Sequence, residues 1–270
     1  MANLKLLVAG AAGKMGRAVI REALSTPGVT LAGGFEREGS DALGKDLGPL
    51  AGLDAMGISV DSSPETAIRR ADALIDFTAP AASVANARVA AGNGVPLIIG
   101  TTGFSADEED QIAALSQKIA IVKSGNMSLG VNLLAGLVKE AARRLGPDYD
   151  IEIIEAHHRA KIDAPSGTAL MLARAAAEGR GVDLERHSVR KRDGVVGARE
   201  EGAIGFAVVR GGGIVGDHDV MFAGGEETIT LSHRAIDRGL FAKGAVAAAK
   251  WAIAKPPGLY SMADVLGFSR

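Results

Sequence analysis

The residues Leu4-Lys5-Leu6-Leu7-Val8 form a short apolar run that passes directly into Gly10-Ala11-Ala12-Gly13-Lys14-Met15-Gly16 and then into the helical spacing of Ala18, Val19, Ala23 and Leu24. A buried strand, a glycine turn and a helix in immediate succession leave few architectures open. Glycines spaced G-x-x-G-x-x-G permit a tight turn and let a pyrophosphate approach the amino end of the helix, whose N–H groups favour an anion. The spacing alone is a weak signal, and its surroundings strengthen it. The helix ends near Pro27-Gly28, Val29 to Gly33 reads as a second strand, and Glu36 follows Gly16 by about twenty residues, where an acidic side chain accepts hydrogen bonds from an adenosine ribose. Arg37 offers a guanidinium to a 2′-phosphate, so the pair Glu36-Arg37 predicts tolerance of both NADH and NADPH. An exposed ion pair after a strand is the plainer alternative.

The same rhythm continues. Ser63-Pro64-Glu65 gives an N-cap with proline at the first helical position and a short helix to Arg70. Ala73 to Thr78 reads as a buried strand, Ala81 to Ala91 as a helix, and Val95 to Ile99 as a strand ending in Gly100-Thr101-Thr102-Gly103. Ser105-Ala106-Asp107-Glu108 has the form of a capping box, and Ala120 to Lys123 is a further strand ending in Ser124-Gly125-Asn126-Met127. Alternating strands and helices predict an α/β domain with a doubly wound parallel sheet, which takes its ligands at the carboxyl ends of the strands. The ends at Gly10, Gly100 and Ser124 are expected to line one cofactor crevice. Residues 38–57 are glycine-rich without a period and are read as a surface loop, a flap beside the adenosine end.

After Ser128 the pattern changes, and a boundary is expected there. A long amphipathic helix runs to about Leu145, a strand begins at Ile151, and strand-like runs follow at Ile204 to Arg210, Ile214 to Phe222 and Glu227 to His233. Short loops between these runs predict a second α+β domain whose sheet is largely antiparallel. Asp217-His218-Asp219 is not expected to hold a metal, because neighbours on an extended strand face opposite sides, and His187 and His233 are read as ordinary. The helix from Gly239 to Ala254 resumes the earlier style. The expected domains are 1–128, completed by 239–270, and 129–238.

Between strand and helix of that second domain lies Glu155-Ala156-His157-His158-Arg159-Ala160-Lys161, four basic side chains within five positions, followed by Ile162-Asp163-Ala164-Pro165-Ser166-Gly167-Thr168 at the start of a helix over Ala169 to Ala177. Imidazoles, an ammonium and the amino end of a helix together suit a carboxylate or a phosphate. Two histidines beside a lysine crowded by cations also supply general acids near neutral pH. A solvated basic loop is the bland alternative. Charge elsewhere points to no other partner: 30 basic against 32 acidic residues give a net charge of −2, which argues against nucleic acid and anionic membranes. The absence of cysteine excludes disulfides, thiolate metal sites and a cysteine nucleophile. With no charged-then-apolar leader and no apolar run near the ~20 residues that span a bilayer, a cytoplasmic protein is expected.

On Glu155 to Lys161, Asp163 to Ala169, Val8 to Arg17, Phe35 to Ser40, Gly100 to Gly103 and Asn126 to Ser128, the chain resembles, end to end, the 4-hydroxy-tetrahydrodipicolinate (dihydrodipicolinate) reductases of lysine biosynthesis. The resemblance implies a Rossmann-like dinucleotide-binding domain, a central substrate domain, and a homotetramer assembled through the central sheets. It implies that His157 is the acid/base and Lys161 a proton donor, while His158, Ser166, Gly167 and Thr168 hold a cyclic dicarboxylate. Gly10, Ala11, Ala12, Gly13, Lys14, Met15, Glu36, Arg37, Gly100, Thr101, Thr102, Ser124, Gly125, Asn126 and Met127 would contact NADH or NADPH, with no metal. Ala160 departs from the many members with a polar or basic residue there, which implies a softer local positive field. Two other readings stay open: a different nicotinamide oxidoreductase, such as an aspartate or homoserine dehydrogenase, and a dinucleotide-binding redox sensor.

Overall fold

Alternate residues of the first strand serve two different cores. In β1 (Leu4–Ala9), Leu6 and Val8 join one buried cluster and Leu7 and Ala9 another, as a strand covered on both faces requires. The structure is a computed structural model and describes residues 3–268. From β1 the chain runs through α1 (Lys14–Ser25), β2 (Val29–Phe35), α2 (Leu47–Leu50), β3 (Val60–Asp61), α3 (Pro64–Ala67), β4 (Ala73–Asp76), α4 (Pro80–Asn93), β5 (Leu97–Ile99), α5 (Ala106–Leu115) and β6 (Ala120–Lys123). After α6 (Leu129–Leu145) come β7 (Asp150–His157), α7 (Gly167–Arg180), α8 (Leu184–His187), β8 (Ser188–Val189), β9 (Ile204–Arg210), β10 (Gly216–Ala223) and β11 (Thr228–Ala235), then α9 (Gly239–Ala252), β12 (Gly258–Tyr260) and α10 (Met262–Val265). Two units result: the residues up to Leu129 with those from Gly239, and Gly130–Arg238.

The first unit is built on a seven-stranded sheet in the order β12-β6-β5-β4-β1-β2-β3, with every pair parallel. Strand order reverses between β1 and β4, so the crevice for a ligand opens at the carboxyl ends there. One face is covered by α1, through Val19, Ile20 and Ala23, and by α9, through Ala242, Ala245, Val246, Ala248, Ala249 and Ala252. The other takes Val84, Ala87 and Ala90 of α4 and Ile112 of α5. Each larger aliphatic fully removed from water contributes about 1.5–3 kcal/mol, which is why amphipathic spacing decides where these helices lie. Local signals act as their chemistry requires: Ser63 and Asp46 cap α3 and α2, and Ser105 and Glu108 form a reciprocal capping box on α5.

Residues 38–57 correct the expected loop. Leu47 is fully buried and Ala51 nearly so, and α2 is pinned by Asp46, whose carboxylate accepts from Gly48 N (2.8 Å), Met56 N (3.0 Å) and Gly57 N (2.6 Å). The Met56 N–H, ahead of burial that opposes it, and the other backbone donors hold the Asp46 carboxyl below its ordinary range. One acidic side chain thus orders a stretch that has no periodicity to read.

The second unit carries a five-stranded sheet in the order β11-β10-β7-β9-β8. Its β7–β10 and β10–β11 pairs are antiparallel but β7–β9 and β8–β9 are parallel, so the sheet is mixed where a largely antiparallel one was expected. β9 and β10 are close in sequence yet do not pair, because β7 lies between them. The connection crosses the carboxyl end of β7, where Gly211 N–H donates to His157 O (2.9 Å) and Arg159 N–H to Gly212 O (3.2 Å). Inward residues Ile151, Ile153, Phe206, Val220 and Phe222 form one core with α6 and α7. The outward face, with the exposed Ala207 and Val209, is not part of it.

Candidate active site

In the first unit, Gly10 follows β1 with φ +62°, and Gly13 caps α1 without a side-chain hydrogen bond or any acidic residue in the first turn. A Cβ on Gly16 would stand 2.2 Å from Gly10 O, so only glycine lets α1 start this close to the strand end. The turn therefore presents backbone, which suits a dinucleotide pyrophosphate. Glu36, just past β2, accepts from Ala12 N–H at 2.9 Å and ties the turn to the second strand, while Arg37 is exposed. Ser124 N–H donates to Ile99 O (3.1 Å) and Gly100 N–H to Asp76 O (2.8 Å), which sets Gly100 to Thr102 and Ser124 to Met127 along the same carboxyl edge as Gly10. Behind that edge is a network that sequence reasoning missed: fully buried Asp76 takes Thr78 N–H (2.7 Å), Thr78 Oγ1 (2.6 Å) and Asn86 Nδ2 (2.8 Å), and Ser83 Oγ donates to Thr101 Oγ1 at 2.8 Å. No motif announces it, since its members come from three elements.

In the second unit, β7 points Glu155 and His157 inward by strand alternation. His157 Nδ1 lies 2.6 Å from Glu155 Oε2, and Glu155 is 1% exposed. Arg210, register partner of His157 on β9, donates to both Glu155 oxygens at 2.7 and 2.8 Å. Burial pushes the Glu155 carboxyl upward, but hydrogen bonds from Arg210, His157 and Ser166 outweigh it and hold the group below its ordinary value. The carboxylate is thus ionised, so His157 carries a proton on Nδ1, and Nε2 is the ring nitrogen left outside this contact. A Cβ on Gly216 would stand 3.0 Å from that Nε2. The ring of His218 on β10 meets His157 edge-on at 5.1 Å. Burial, then the neighbouring His157, push His218 down to about 4, so it is neutral at physiological pH.

The rest of the loop leads to the amino end of α7. Ser166 Oγ accepts from Ala169 N–H (3.1 Å) as the N-cap of α7, with Gly167 exposed at the first helical position. Arg238 Nη2, from a cation that no local pattern singles out, is 3.4 Å from His158 Nε2. Lys161 corrects an expectation: its Nζ meets Asp163 at 2.7 and 2.8 Å, so its near neighbour is a carboxylate and not a crowd of cations. His218 also departs from its reading as part of an unremarkable triplet. Asp217 and Asp219 turn to the other face and pair with Arg234, while His218 alone faces His157. Among the described residues, no group of three or more His, Cys, Asp and Glu side chains is placed to hold a metal.

Family models described as dihydrodipicolinate reductase, N-terminus, and dihydrodipicolinate reductase, C-terminus, match residues 4–127 and 130–266. The chain belongs to the dihydrodipicolinate reductase family. Curated relatives called 4-hydroxy-tetrahydrodipicolinate reductase include one from Parvibaculum lavamentivorans, 57% identical over 98% of both chains, and one from Rhodopseudomonas palustris strain HaA2, 55% identical over 100% of this chain and 99% of its own. A solved dihydrodipicolinate reductase from Paenisporosarcina sp. TG-14, bound to dipicolinate, superposes with a TM-score of 0.76 at 25% identity, covering 96% of this chain and 97% of that one. For a dihydrodipicolinate reductase, the glycine turn and the His157 loop are the two features that need a chemical role.

Proposed function

We propose that this chain reduces 4-hydroxy-tetrahydrodipicolinate to tetrahydrodipicolinate with release of water, using NADH or NADPH, in the diaminopimelate route to lysine. The observation that carries the reading is the His157–Glu155 pair, an imidazole with one nitrogen committed to a buried carboxylate and the other free to exchange a proton. The substrate is a ring with two carboxylates and an imine. Arg238 and Lys161 supply positive charge for those carboxylates beside the His158 ring, and Ser166, Gly167 and Thr168 at the amino end of α7 add a directional anion site. A carboxylate arriving at Lys161 competes with Asp163. Loss of water leaves a ring C=C conjugated with the imine. When bound, the reduced nicotinamide supplies the hydride, which adds at the ring carbon that carried the hydroxyl. His157 Nε2 then gives a proton to the adjacent carbon, with Lys161 as a second donor, and Glu155 stabilises the charged imidazole beforehand.

Glu36, beside the adenosine end, suits a ribose, and exposed Arg37 suits a 2′-phosphate, which supports use of both cofactors. A homotetramer built through the second-unit sheets is supported by their outward face, where Val209 is 49% exposed beside Ala207. No helix among the described residues is long and apolar enough to cross a membrane, and a nicotinamide-dependent biosynthetic step fits the cytoplasm. Oxidation of NADH and NADPH, followed with freshly generated 4-hydroxy-tetrahydrodipicolinate, tests the reaction. His157→Gln should lower kcat by roughly 10²–10⁴-fold and leave the KM for NADH near normal. Wild-type kcat with only a raised KM for the imine would reduce the loop to an anion clamp.

A further inference from the structure

Four donors converge on one carboxylate. Arg210 gives Nη1–H to Glu155 Oε2 and Nη2–H to Oε1, His157 gives Nδ1–H to Oε2, and Ser166 gives its backbone N–H to Oε1 at 3.0 Å. Each oxygen accepts twice, which leaves neither room for a proton of its own. Two of these donors belong to working parts of the site: the imidazole, and the residue that caps α7. A second tie joins the same two parts. Ser166 Oγ accepts from Ala169 N–H and also hydrogen-bonds His218 Nε2, 3.0 Å away, and the His218 ring packs edge-on against His157. A buried ion pair is weak evidence for stability, since apolar replacements of similar volume are often neutral or better. What this one supplies is geometry.

We propose that Glu155 is a positioning residue that fixes, in one arrangement, both the imidazole that delivers the proton and the amino end of α7 that receives a substrate carboxylate, with His218 as a brace. This rests on the reading of His157 as the proton donor. Glutamine cannot replace the carboxylate, because its single oxygen would serve four donors while its NH₂ pointed at two of them. Tautomer control follows from the same contacts. A carboxylate at Nδ1 keeps Nε2 as the exchanging atom, whereas an amide NH₂ at Nδ1 reverses the ring. The other charged or titratable groups facing this pair are Arg210 from β9, His218 from β10, His233 on β11 beyond it, and Lys161 and Asp163 from the loop.

The test uses the full chain with Glu155→Gln and Glu155→Asp, reading kcat, both KM values and thermal unfolding across pH. Glu155→Gln should lose about 10²-fold in kcat, move the alkaline limb of the kcat profile to lower pH, raise the KM for the imine and leave the KM for NADH unchanged. Glu155→Asp keeps the charge but cannot reach both partners, so it should hold the wild-type limb with intermediate kcat and a raised imine KM. A folded Glu155→Gln with an unmoved limb, or losses of kcat that only track unfolding, would overturn the proposal. If Glu155→Gln does not fold, wild-type kcat and KM in Glu155→Asp would overturn it equally. His157→Gln run alongside separates the two readings. If kcat survives that change, both fall; if kcat collapses there while Glu155→Gln keeps its limb, only the positioning role fails.

Discussion

Gly216→Ala adds one methyl group at the atom that matters most. The new Cβ would stand 3.0 Å from His157 Nε2, where ordinary contacts fall at 3.4–4 Å, so the ring must retreat by 0.4–1.0 Å. It cannot do so freely: Nδ1 is held at 2.6 Å from Glu155, and the His218 ring, itself 3.7 Å from the new Cβ, packs edge-on against it at 5.1 Å. A misplacement of ~1 Å at a reacting group costs on the order of 10²-fold, so kcat should fall between about 10- and 10²-fold. Stability should change little. The φ of Gly216 is not in the left-handed region, so alanine gains roughly 0.5–1 kcal/mol over glycine in a strand, against an overpacking cost of about 1–3 kcal/mol. The assay is steady-state reduction of the imine together with thermal unfolding, and Gly213→Ala serves as the control because its Cβ would meet nothing within 4 Å. Wild-type kcat and an unchanged pH profile in Gly216→Ala would refute the placement of Nε2 as the proton-exchanging atom.

Other outcomes follow from the same geometry. Arg37→Ala should weaken NADPH more than NADH, by about 1.5–3 kcal/mol or one to two decades, in direct binding titrations with each cofactor. Arg210→Met leaves Glu155 buried and short of its strongest partner, and urea unfolding should show a loss of about 3–5 kcal/mol. His218, held near 4 against an ordinary 6.5, is neutral in the folded chain while the unfolded chain binds a proton between those values. Stability should therefore be fully present above about pH 6.5 and fall by about 3 kcal/mol as pH drops towards 4, with the slope removed in His218→Gln. Exhaustive chelation should leave turnover unchanged, checked by adding back divalent ions.

What could be read in the sequence was what neighbours along the chain determine. The strand, glycine turn and helix at Leu4 to Leu24 are contiguous, and the capping boxes and strand ends are local patterns of the same kind. Lys161 and Ser166 were visible as types, but the partner of Lys161 depends on how the loop turns back to Asp163. Glu155 stood in plain sight beside His157, yet its role needs Arg210, which the parallel pairing of β7 with β9 brings to it from a distant part of the chain. Strand alternation already separated His218 from Asp217 and Asp219 in the sequence, but not its meeting with His157, which depends on the pairing of β10 with β7. The short connection between β9 and β10 suggested a hairpin for a sound reason. Nothing local reveals that a third strand has been laid between them.

The first unit is finished by residues that the ribosome makes only after the second unit. Leu6, Val8 and Ile75 share their cluster with Ala245, Ala248 and Ala249 of α9, so until Gly239 and its successors emerge, that face of the parallel sheet is covered only in part, by α1, by Leu47 of α2 and by Ala51 just after it. The second unit, by contrast, is one continuous stretch, Gly130–Arg238, all of it made before α9. A nascent chain stalled before α9 should have all of the second unit but a partly open apolar sheet in the first, the kind of surface that chaperones hold and that aggregates when they do not.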